Sequence, residues 1–453
     1  MDSWKAVILA AGRGSRMRSS VPKVLQPICG RAMVGLVADA LRGAGLDDLV
    51  AVVAPGARGV GEAIGGCVSP VEQAEQLGTG HALAQAGALL AEHRGHVLAI
   101  NGDVPLVTPA TISALVNRHE STGACLTILT CDGPPSHGMG RVVRDDNGAV
   151  AAIVEEADLD ARSACSAEAN AGVYCVQSPW VWSALSGLPT APNGEVYLTS
   201  LVAEAVRQGH AVESLCVSDA SEALGVNDGV QLDRAREAMR RRINDGWRLR
   251  GVSVMEPAYI DVAVEIGEDS VLYPNSFLQG RTSVGKGCAI GPGSMVTDSS
   301  IADGCRILNS VVEGAVLEEG VDVGPFSHVR PDSHVETGVH VGNFAEIKNS
   351  RLGRGTKMGH FSYVGDSWVG AGVNIGAGAV TCNFDGVDKH RTIVEDGAFI
   401  GSDSMLIAPV RIGAGASTGA GSVVTKDVPP GARVAGAPAR IIGRGSPSEL
   451  REA

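Results

Sequence analysis

Side chains that could bind phosphate are concentrated near the start of the sequence. An apolar stretch is followed by Leu9-Ala10-Ala11-Gly12-Arg13-Gly14-Ser15-Arg16, and Lys23 comes soon after. A glycine-rich turn after a strand exposes backbone N–H groups that can hold phosphates. The arginines and the lysine concentrate positive charge in a chain whose net charge is −13. This local reversal of charge predicts an anionic, nucleotide-like ligand.

A carboxylate follows the strand predicted at residues 96–100. Asp103 comes three residues after that apolar stretch. Open α/β sheets bind their ligands in the crevice outside the carboxyl ends of parallel strands. Asp103 is therefore predicted to face the bound ligand.

The C-terminal half carries cations and a histidine that suit a different reaction. Arg330 and Lys348 could hold a phosphate, the first through its planar fork and the second as a point charge. Acyl transfer to an amine needs a base that titrates near neutral pH, and His360 fits that need. These residues would suit an acyl-transfer site, and the alternative for His360 by itself is a solvated turn residue.

The glycine-rich turn and Asp103 must be positioned by the elements of an α/β domain. Buried strands are predicted at 6–10, 49–54, 96–100, 126–130 and 172–176, and helices between them at 33–42, 82–90 and 111–120. Strands that alternate with helices indicate a mostly parallel sheet. We predict a Rossmann-like nucleotidyltransferase domain over residues 1–229.

Two further segments follow. An apolar stripe through Leu232, Ala235, Met239 and Ile243 predicts a linker helix over residues 230–250, which we expect Gly246 to stop. From about Tyr259 aliphatic residues recur every six positions. Examples are Val323, Val329, Val335, Val341 and Ile347. This period predicts a left-handed parallel β-helix of hexapeptide repeats over residues 251–453. Residues 381–391 break the period and are predicted to loop out of the coil.

Composition limits the class of protein. The acidic net charge argues against general nucleic-acid binding. Ten scattered cysteines without a Cys-x-x-Cys pair indicate reduced thiols, and no apolar stretch reaches the length of a membrane span. We expect a cytoplasmic protein.

Further motifs give both halves a family resemblance. They are Gln73-Ala-Glu-Gln-Leu-Gly78-Thr79-Gly80, Asn101-Gly102-Asp103, Gly138-Met-Gly140-Arg141, Glu155 and Asn170-Ala-Gly172. With the glycine-rich turn they resemble sugar-1-phosphate nucleotidyltransferases. The whole chain, from about Val7 to Pro438, resembles the bifunctional N-acetylglucosamine-1-phosphate uridylyltransferase / glucosamine-1-phosphate N-acetyltransferase family.

The resemblance implies two reactions. Glucosamine-1-phosphate would be acetylated by acetyl-CoA in the β-helix. The N-terminal domain would transfer UMP from UTP to N-acetylglucosamine-1-phosphate, releasing pyrophosphate and giving UDP-N-acetylglucosamine for envelope precursors such as peptidoglycan. The family also implies a homotrimer with acetyl-transfer sites between subunits.

The resemblance also implies residue roles. Lys23 and Asp103 would be catalytic in uridylyl transfer, and Asp103 and Asn227 would bind Mg²⁺. The nucleotide sugar would be bound by Leu9, Ala10, Ala11, Gly12, Lys23, Gln73, Gly78, Thr79, Asn101, Gly102, Asp103, Gly140, Glu155, Asn170 and Asn227. His360 would be the base of acetyl transfer. The amino-sugar phosphate would be bound by Arg330, Lys348, Tyr363, Asn374 and Lys389, and acetyl-CoA by Ala377, Asn383, Phe384, Ser402 and Ala420.

The sequence departs from the family pattern in three places. Asn101 replaces a common aromatic residue, Ser200 stands where an aspartate is usual, and Phe384 replaces a common tyrosine. A late arginine of the family has no clear counterpart, and neither Arg433 nor Arg440 is assigned to CoA. Two alternatives stay open: the β-helix could be an inert oligomerisation or regulatory module, or the whole chain a non-enzymatic scaffold.

Overall fold

A computed structural model describes residues 3–132, 138–160 and 163–444. The chain divides into two compact units, and the boundary between them lies between Met239 and Arg240. Within the described residues no helix is both long and apolar enough to cross a membrane.

The first unit is built on a nine-stranded sheet. Its strands are β1 (Trp4–Ala10), β2 (Leu49–Val53), β3 (Val68–Glu72), β4 (His96–Asn101), β5 (Leu126–Asp132), β6 (Arg141–Arg144), β7 (Val150–Val154), β8 (Glu168–Gln177) and β9 (Val212–Val217). The helices are α1 (Met33–Gly43), α2 (Arg58–Ile64), α3 (Thr79–Leu90), α4 (Pro109–Thr122), α5 (Ser178–Ser186), α6 (Ser200–Arg207) and α7 (Gly229–Leu249). Two short strands, Pro27–Ile28 and Arg31–Ala32, form a separate ribbon.

The sheet order is β9-β5-β8-β4-β1-β2-β3, with β6 and β7 as a ribbon paired to β8. The mostly parallel sheet is confirmed, but β8 runs antiparallel to both β4 and β5. The chain reaches β8 through the β6–β7 ribbon and not through a crossover helix, and a reversed strand needs no such helix.

Alternation along β1 explains why the sheet has a core on both faces. Ala6 and Ile8 pack into the layer that contains α1 and α4, whereas Val7 and Leu9 pack into the layer that contains α3 and α5. Successive side chains of a strand point to opposite faces, so a strand covered by helices on both sides is apolar throughout. This is why the first strand appears in the sequence as an unbroken apolar run.

The helix α7 spans the boundary between the units. We expected Gly246 to stop it, but it continues to Leu249. Trp247 is buried in the core of the second unit, and burial of this large side chain offsets the weak helix propensity of one glycine.

The second unit is a parallel β-helix with three sheets. Sheet I comprises Ser253–Val254, Val271–Leu272, Ala289–Ile290, Arg306–Ile307, Asp322–Val323, His340–Val341, Lys357–Met358, Asn374–Ile375, Phe399–Ile400, Ser417–Thr418, Ala432–Ala435 and Arg440–Arg444. Sheet II comprises Ala258–Ile260, Ser276–Gln279, Met295–Thr297, Val311–Glu313, His328–Val329, Ala345–Lys348, Ser362–Gly365, Val380–Cys382, Met405–Ile407 and Val423–Val424. Sheet III comprises Glu265–Ile266, Ser283–Val284, Ser300–Ile301, Val316–Leu317, His334–Val335, Arg351–Leu352, Ser367–Val369, Thr392–Val394 and Val410–Ile412.

The period of six is confirmed as one strand per repeat. Val323, Val329 and Val335 lie on sheets I, II and III in turn, and each is completely buried. Each coil therefore adds one aliphatic side chain from each sheet to a continuous core.

Two details of the β-helix differ from the prediction. The first strand is Ser253–Val254, so the coil begins before Tyr259. The predicted loop at 381–391 begins later than expected, because Thr381 and Cys382 belong to a strand of sheet II. The Thr381 hydroxyl accepts a hydrogen bond from Gly365 N (2.8 Å) and donates one to Gly365 O (3.1 Å). These bonds allow a polar residue to occupy the aliphatic column.

Candidate functional sites

A cleft of about 580 Å³ opens at the carboxyl ends of β1 and β4. The residues predicted from the sequence that line it are Leu9, Ala11, Gly12, Lys23, Gln73, Gly78, Thr79, Asn101, Asp103, Gly140, Glu155, Asn170 and Asn227. They come from separate segments of the chain, so the fold brings together what the sequence keeps apart.

Two predicted residues do not line the cleft. The Ala10 side chain packs into the layer of the core opposite to that of Leu9. Gly102 N donates to Leu9 O at 2.9 Å, and a Cβ at position 102 would lie 3.1 Å from that oxygen. Gly102 therefore joins two strand ends closely, and a side chain there would require its neighbours to shift.

Lys23, Asp103 and Asn227 form one cluster. Lys23 Nζ makes an ion pair with Asp103 Oδ2 and donates to Asn227 Oδ1 at 3.1 Å. The backbone fixes this arrangement, because Val226 N donates to Asp103 O at 2.9 Å. The Lys23 and Asp103 side chains are only 11% and 19% exposed, which strengthens their electrostatic interaction.

The same cluster suits a small divalent cation. One ammonium contacts both the carboxylate oxygen and the amide oxygen, which shows that these oxygens converge on one point. Mg²⁺ prefers oxygen ligands and usually takes one or two from the protein, with phosphates and waters as the others. Among the described residues no group of three or more His, Cys, Asp or Glu is placed to hold a metal. Asp103 and Asn227 thus fit a metal that is shared with a phosphate substrate.

The glycine-rich turn brings further cations to the cleft. Gly14 has a φ of +59°, and a Cβ there would lie 2.6 Å from the Cβ of Lys23. Glycine at this position therefore lets the turn approach Lys23. Arg16 donates to Asn227 Oδ1 at 3.1 Å and Arg13 to Gln76 Oε1 at 2.9 Å.

The opposite side of the cleft is held by loops that the motifs identified. Gln73 Nε2 donates to Gly78 O at 3.1 Å. Gly78 has a φ of +99°, and a side chain there would collide with the backbone of Val196. Leu198 N donates to Thr79 Oγ1 at 3.0 Å. Residues 73–80 and 195–199 therefore form one wall.

Glu155 and Asn170 lie near each other at the remaining wall. Burial raises the pKa of Glu155, although a 2.7 Å hydrogen bond from the Thr199 hydroxyl to Oε1 opposes this shift. Asn170 accepts from Gly172 N at 3.1 Å and donates to the Tyr174 hydroxyl at 2.6 Å. The site residues that sequence reasoning missed include Thr199 and Tyr174. Thr199 directly precedes Ser200, but nothing in the sequence shows that its hydroxyl contacts Glu155.

A second cavity, of about 660 Å³, lies on the β-helix and is basic on balance, because four cationic side chains and two carboxylates line it. Its predicted residues are Arg330, Lys348 and Lys389, and it also contains His390 and Arg391, which the sequence did not identify. Lys389 approaches Lys348 closely and thereby lowers the pKa of the Lys348 ammonium. Crowded ammonium groups of this kind indicate a site for an anion.

Tyr363 does not line this cavity, but its strand lies beside one that does. Its strand pairs with that of Lys348, so Gly365 lies beside Lys348. A Cβ at position 365 would collide with the Tyr363 hydroxyl oxygen. Glycine at this position therefore leaves space for the hydroxyl. The hydroxyl therefore lies toward the basic end of the strand.

The other acetyl-transfer residues occupy a different corner of the β-helix. His360 and the predicted acetyl-CoA residues Ala377, Ser402 and Ala420 each lie two positions after an inward-facing residue of sheet I. They form one column at the corner between sheets I and II, while Arg330 and Lys348 stand at the corner between sheets II and III. Asn374 faces outward on sheet I itself.

Asn383 and Phe384 do not join that column. They follow the last residue of a sheet II strand, and Asn383 donates to Asp366, which lines the basic cavity. Phe384 is 59% exposed. Residues predicted to bind the same substrate thus lie at opposite edges of sheet II on one chain.

Comparison with known proteins identifies relatives of both halves. Residues 6–184 match the MobA-like NTP transferase domain, and residues 391–426 match the bacterial transferase hexapeptide family (six repeats). The bifunctional protein GlmU of Pelobacter propionicus is 44% identical over 438 residues, covering 95% of both chains. The GlmU of Heliobacterium modesticaldum is 43% identical over 435 residues, and that of Shouchella clausii 42% identical over 432, each again covering 95% of both chains.

Proposed function

The chain belongs to the family of bifunctional GlmU proteins, which are enzymes with uridylyltransferase and acetyltransferase activities, and from this premise we propose which of its residues carry out each reaction. The observation that supports the assignment best is the cluster of Lys23, Asp103 and Asn227 beneath a glycine-rich, cationic turn.

In the cleft we propose uridylyl transfer. A phosphate oxygen of N-acetylglucosamine-1-phosphate attacks the α-phosphorus of UTP, and the bond to the departing pyrophosphate breaks as the new P–O bond forms. Such transfers depend on positioning and charge neutralisation more than on acid–base groups. Lys23, Arg13 and Arg16 bind the phosphate oxygens, and the backbone from Leu9 to Gly12 holds the nucleotide.

Asp103 and Asn227 would hold the metal. Mg²⁺, when bound, neutralises charge that develops on the phosphates. Lys23 contacts both oxygens in the structure, so it would turn toward the phosphates as the metal binds. Glu155 and Asn170 receive the sugar, with Glu155 as an acceptor for its hydroxyls.

On the β-helix we propose acetyl transfer to glucosamine-1-phosphate. The amine nitrogen attacks the thioester carbonyl of acetyl-CoA, His360 removes a proton from the nitrogen, and the C–S bond breaks to release CoA. Arg330, Lys348 and Lys389 bind the phosphate, with Tyr363 beside them. The column of Ala377, Ser402 and Ala420 leaves a narrow strip for the extended thiol arm of CoA.

We propose that the enzyme is a homotrimer, because its acetyl-transfer residues are divided between two corners. Outward-facing residues of sheet II are apolar toward both ends of the coil, whereas Glu313, His328 and Glu346 face outward on the middle strands. The apolar ones include Tyr259, Phe277, Met295, Val311, Val380, Met405 and Val423. If the three copies turn sheet II toward a common axis, the corner with His360 of one copy meets the basic corner of the next. An isolated chain would then hold only parts of the site.

The two reactions follow each other chemically, since the acetylated product is the sugar that the cleft consumes. We also propose a cytoplasmic location, where UTP and acetyl-CoA are available. The ten cysteines are scattered without a Cys-x-x-Cys pair, a pattern that is typical of a reducing compartment.

The experiment that tests this assignment is an assay with glucosamine-1-phosphate, acetyl-CoA, UTP and Mg²⁺, from which one component at a time is omitted. UDP-N-acetylglucosamine should form only when all four are present. Free thiol should still appear without UTP. Supplying N-acetylglucosamine-1-phosphate should restore the product without acetyl-CoA. If no thiol is released under any condition, the β-helix is an inert module and the acetyl-transfer assignment is wrong.

A further inference from the structure

Asn101 ends β4 at the floor of the cleft, next to Leu9 of β1. Its side-chain oxygen Oδ1 is buried and has no hydrogen-bond partner among the described residues. Nearly all buried polar atoms in proteins have a partner, and one that lacks it destabilises the free protein. An unpaired amide at the floor of a substrate cleft therefore points to a partner on the substrate.

The surrounding backbone is shaped around this amide. Gly172 has a φ of +74°, and a Cβ at that position would lie 2.5 Å from Asn101 Nδ2. Glycine at 172 is thus required for the amide to occupy its place. Gly172 is held in turn, because its N–H donates to Asn170 Oδ1 at 3.1 Å.

The neighbouring amide already has a protein partner at each end. Asn170 accepts from Gly172 N with its oxygen and donates to the Tyr174 hydroxyl with its nitrogen, which leaves one acceptor and one donor site for the sugar. Asn101 is the amide of this pair whose oxygen has no partner among the described residues. It lies at the wall with Asn170 and Gly172, away from the wall that contains Gln73 and Gly78.

The chemistry of the missing partner follows from the amide. A phosphate oxygen only accepts hydrogen bonds, and Oδ1 needs a donor. A hydroxyl donates and accepts, so it satisfies the amide whichever way its oxygen and nitrogen are turned. Ring hydroxyls of the sugar fit this need at the wall where Asn170 stands.

We propose that Asn101 binds a ring hydroxyl of the sugar-1-phosphate and thereby sets the selectivity of uridylyl transfer for its sugar. The inference rests on the proposed uridylyl transfer in this cleft. It also gives a role to a position at which this chain departs from the aromatic residue common in the family it resembles.

The test compares Asn101→Leu, which keeps the approximate volume and removes both polar ends, with Asn101→Asp, which keeps an acceptor. In the full-length enzyme, Asn101→Leu should lower kcat/KM for N-acetylglucosamine-1-phosphate by about ten- to a hundredfold and leave KM for UTP unchanged. Asn101→Asp should lose less. Release of thiol by the β-helix serves as the control for folding and should be the same in all variants.

Monodeoxy sugar phosphates identify the hydroxyl. For the analogue that lacks the contacted hydroxyl, wild type and Asn101→Leu should have the same kcat/KM, because the interaction is absent from both. The proposal is overturned if Asn101→Leu changes KM for UTP instead, which would place the partner on the nucleotide, or if it changes neither constant. If the wild-type enzyme showed no uridylyl transfer, the proposed function itself would be wrong. This outcome is distinguishable from the two above, because both of those require an active wild-type enzyme.

Discussion

The cleft and the β-helix assemble their candidate sites in opposite ways. In the cleft, the carboxyl ends of neighbouring strands and the loops that follow them converge, so that Lys23, Asp103 and Asn227 meet although they are far apart in sequence. On the β-helix each coil adds residues to fixed columns, and His360 and Lys348 fall on different corners of the same chain. An open α/β sheet concentrates functional groups within one chain. A β-helix distributes them over its corners, and in the proposed trimer a neighbouring copy would bring them together.

The two sites also differ in how their residues are held. The cleft residues contact one another, so each fixes the position of the next. Within the described part of the chain, by contrast, no hydrogen bond to the His360 side chain is observed. The position of His360 comes from the register of the coils, and substrate or a neighbouring copy must orient its ring.

The largest expected effect separates the two activities. Asp103→Asn removes the charge that pairs with Lys23 and would hold Mg²⁺, so uridylyl transfer should fall by about a hundred- to a thousandfold. Thiol release by the β-helix should stay within error of wild type. Measuring pyrophosphate and thiol on the same preparation checks both. A parallel loss of both activities would mean that the sites are not independent.

Acid should affect the first unit more than the β-helix. His119 is fully buried, with Nδ1 2.9 Å from Thr127 Oγ1 and Nε2 3.2 Å from His96 Nδ1. Burial, with a contribution from His96, lowers the pKa of His119 to about 4. Unfolding returns this pKa to about 6.5, so the unfolded chain binds more protons and stability is lost as pH falls from about 6.5 toward 4.

At pH 5 the loss amounts to about 2 kcal/mol, or roughly thirtyfold in the unfolding equilibrium of the first unit. Urea unfolding at pH 7.5 and at pH 5, monitored through hydrogen exchange of the β1 amides, measures this loss of stability. In the His119→Gln variant the side chain at position 119 cannot take up a proton. This variant should therefore lose less stability than wild type between pH 7.5 and pH 5. Equal losses in both proteins would show that His119 is not responsible. In the β-helix, His328, His334 and His340 each lie 2.8 Å from a carboxylate and are partly exposed.

A negative charge introduced on the outer face of sheet II should reduce acetyl transfer and leave uridylyl transfer unchanged. Val311 faces outward on sheet II between Met295 and His328. Val311→Glu should disrupt the proposed trimer and reduce acetyl transfer at least about tenfold, since a buried unpaired charge is costly at an interface. Uridylyl transfer should be unaffected.

Sedimentation velocity combined with the thiol assay checks this prediction. Ser283→Glu is the matched control, because Ser283 lies exposed on sheet III. If Val311→Glu leaves a fully active trimer, sheet II does not face the axis. A fully active monomer would exclude the divided site altogether.

Most of the fold could be predicted because its periods are strong. The period of six predicted which aliphatic residues face the inside of the β-helix. The strands of the first unit could be recognised as unbroken apolar runs, because helices cover both faces of the sheet. The reversed direction of β8 was not predictable, because the apolar run 172–176 carries no sign of its direction. Thr381 was taken for a loop residue because nothing in the sequence shows that Gly365 satisfies its hydroxyl.

The cleft residues could be predicted from motifs, but not how they contact one another. The unpaired oxygen of Asn101 and the hydrogen bond between Thr199 and Glu155 depend on side-chain positions that the motifs do not specify. On the β-helix, the division between corners could have been found by counting from the inward column. His360 follows Met358, an inward residue of sheet I, whereas Arg330 follows Val329, an inward residue of sheet II, so the two lie at different corners.

The central claim is that the cleft is complete in one chain while the acetyl-transfer site is shared between chains, and subunit mixing tests it most directly. Chains with His360→Ala are co-expressed with chains that carry Arg330→Ala and Lys348→Ala, and mixed oligomers are isolated through two different tags. Each parent should be inactive in thiol release, and the isolated mixed trimers should regain about a third of wild-type activity, because in each of them one interface of the three joins an intact histidine to an intact basic corner. Mixing Asp103→Asn with Lys23→Ala chains should restore no uridylyl transfer. A mixture of the β-helix variants that stays as inactive as its parents would contradict the account.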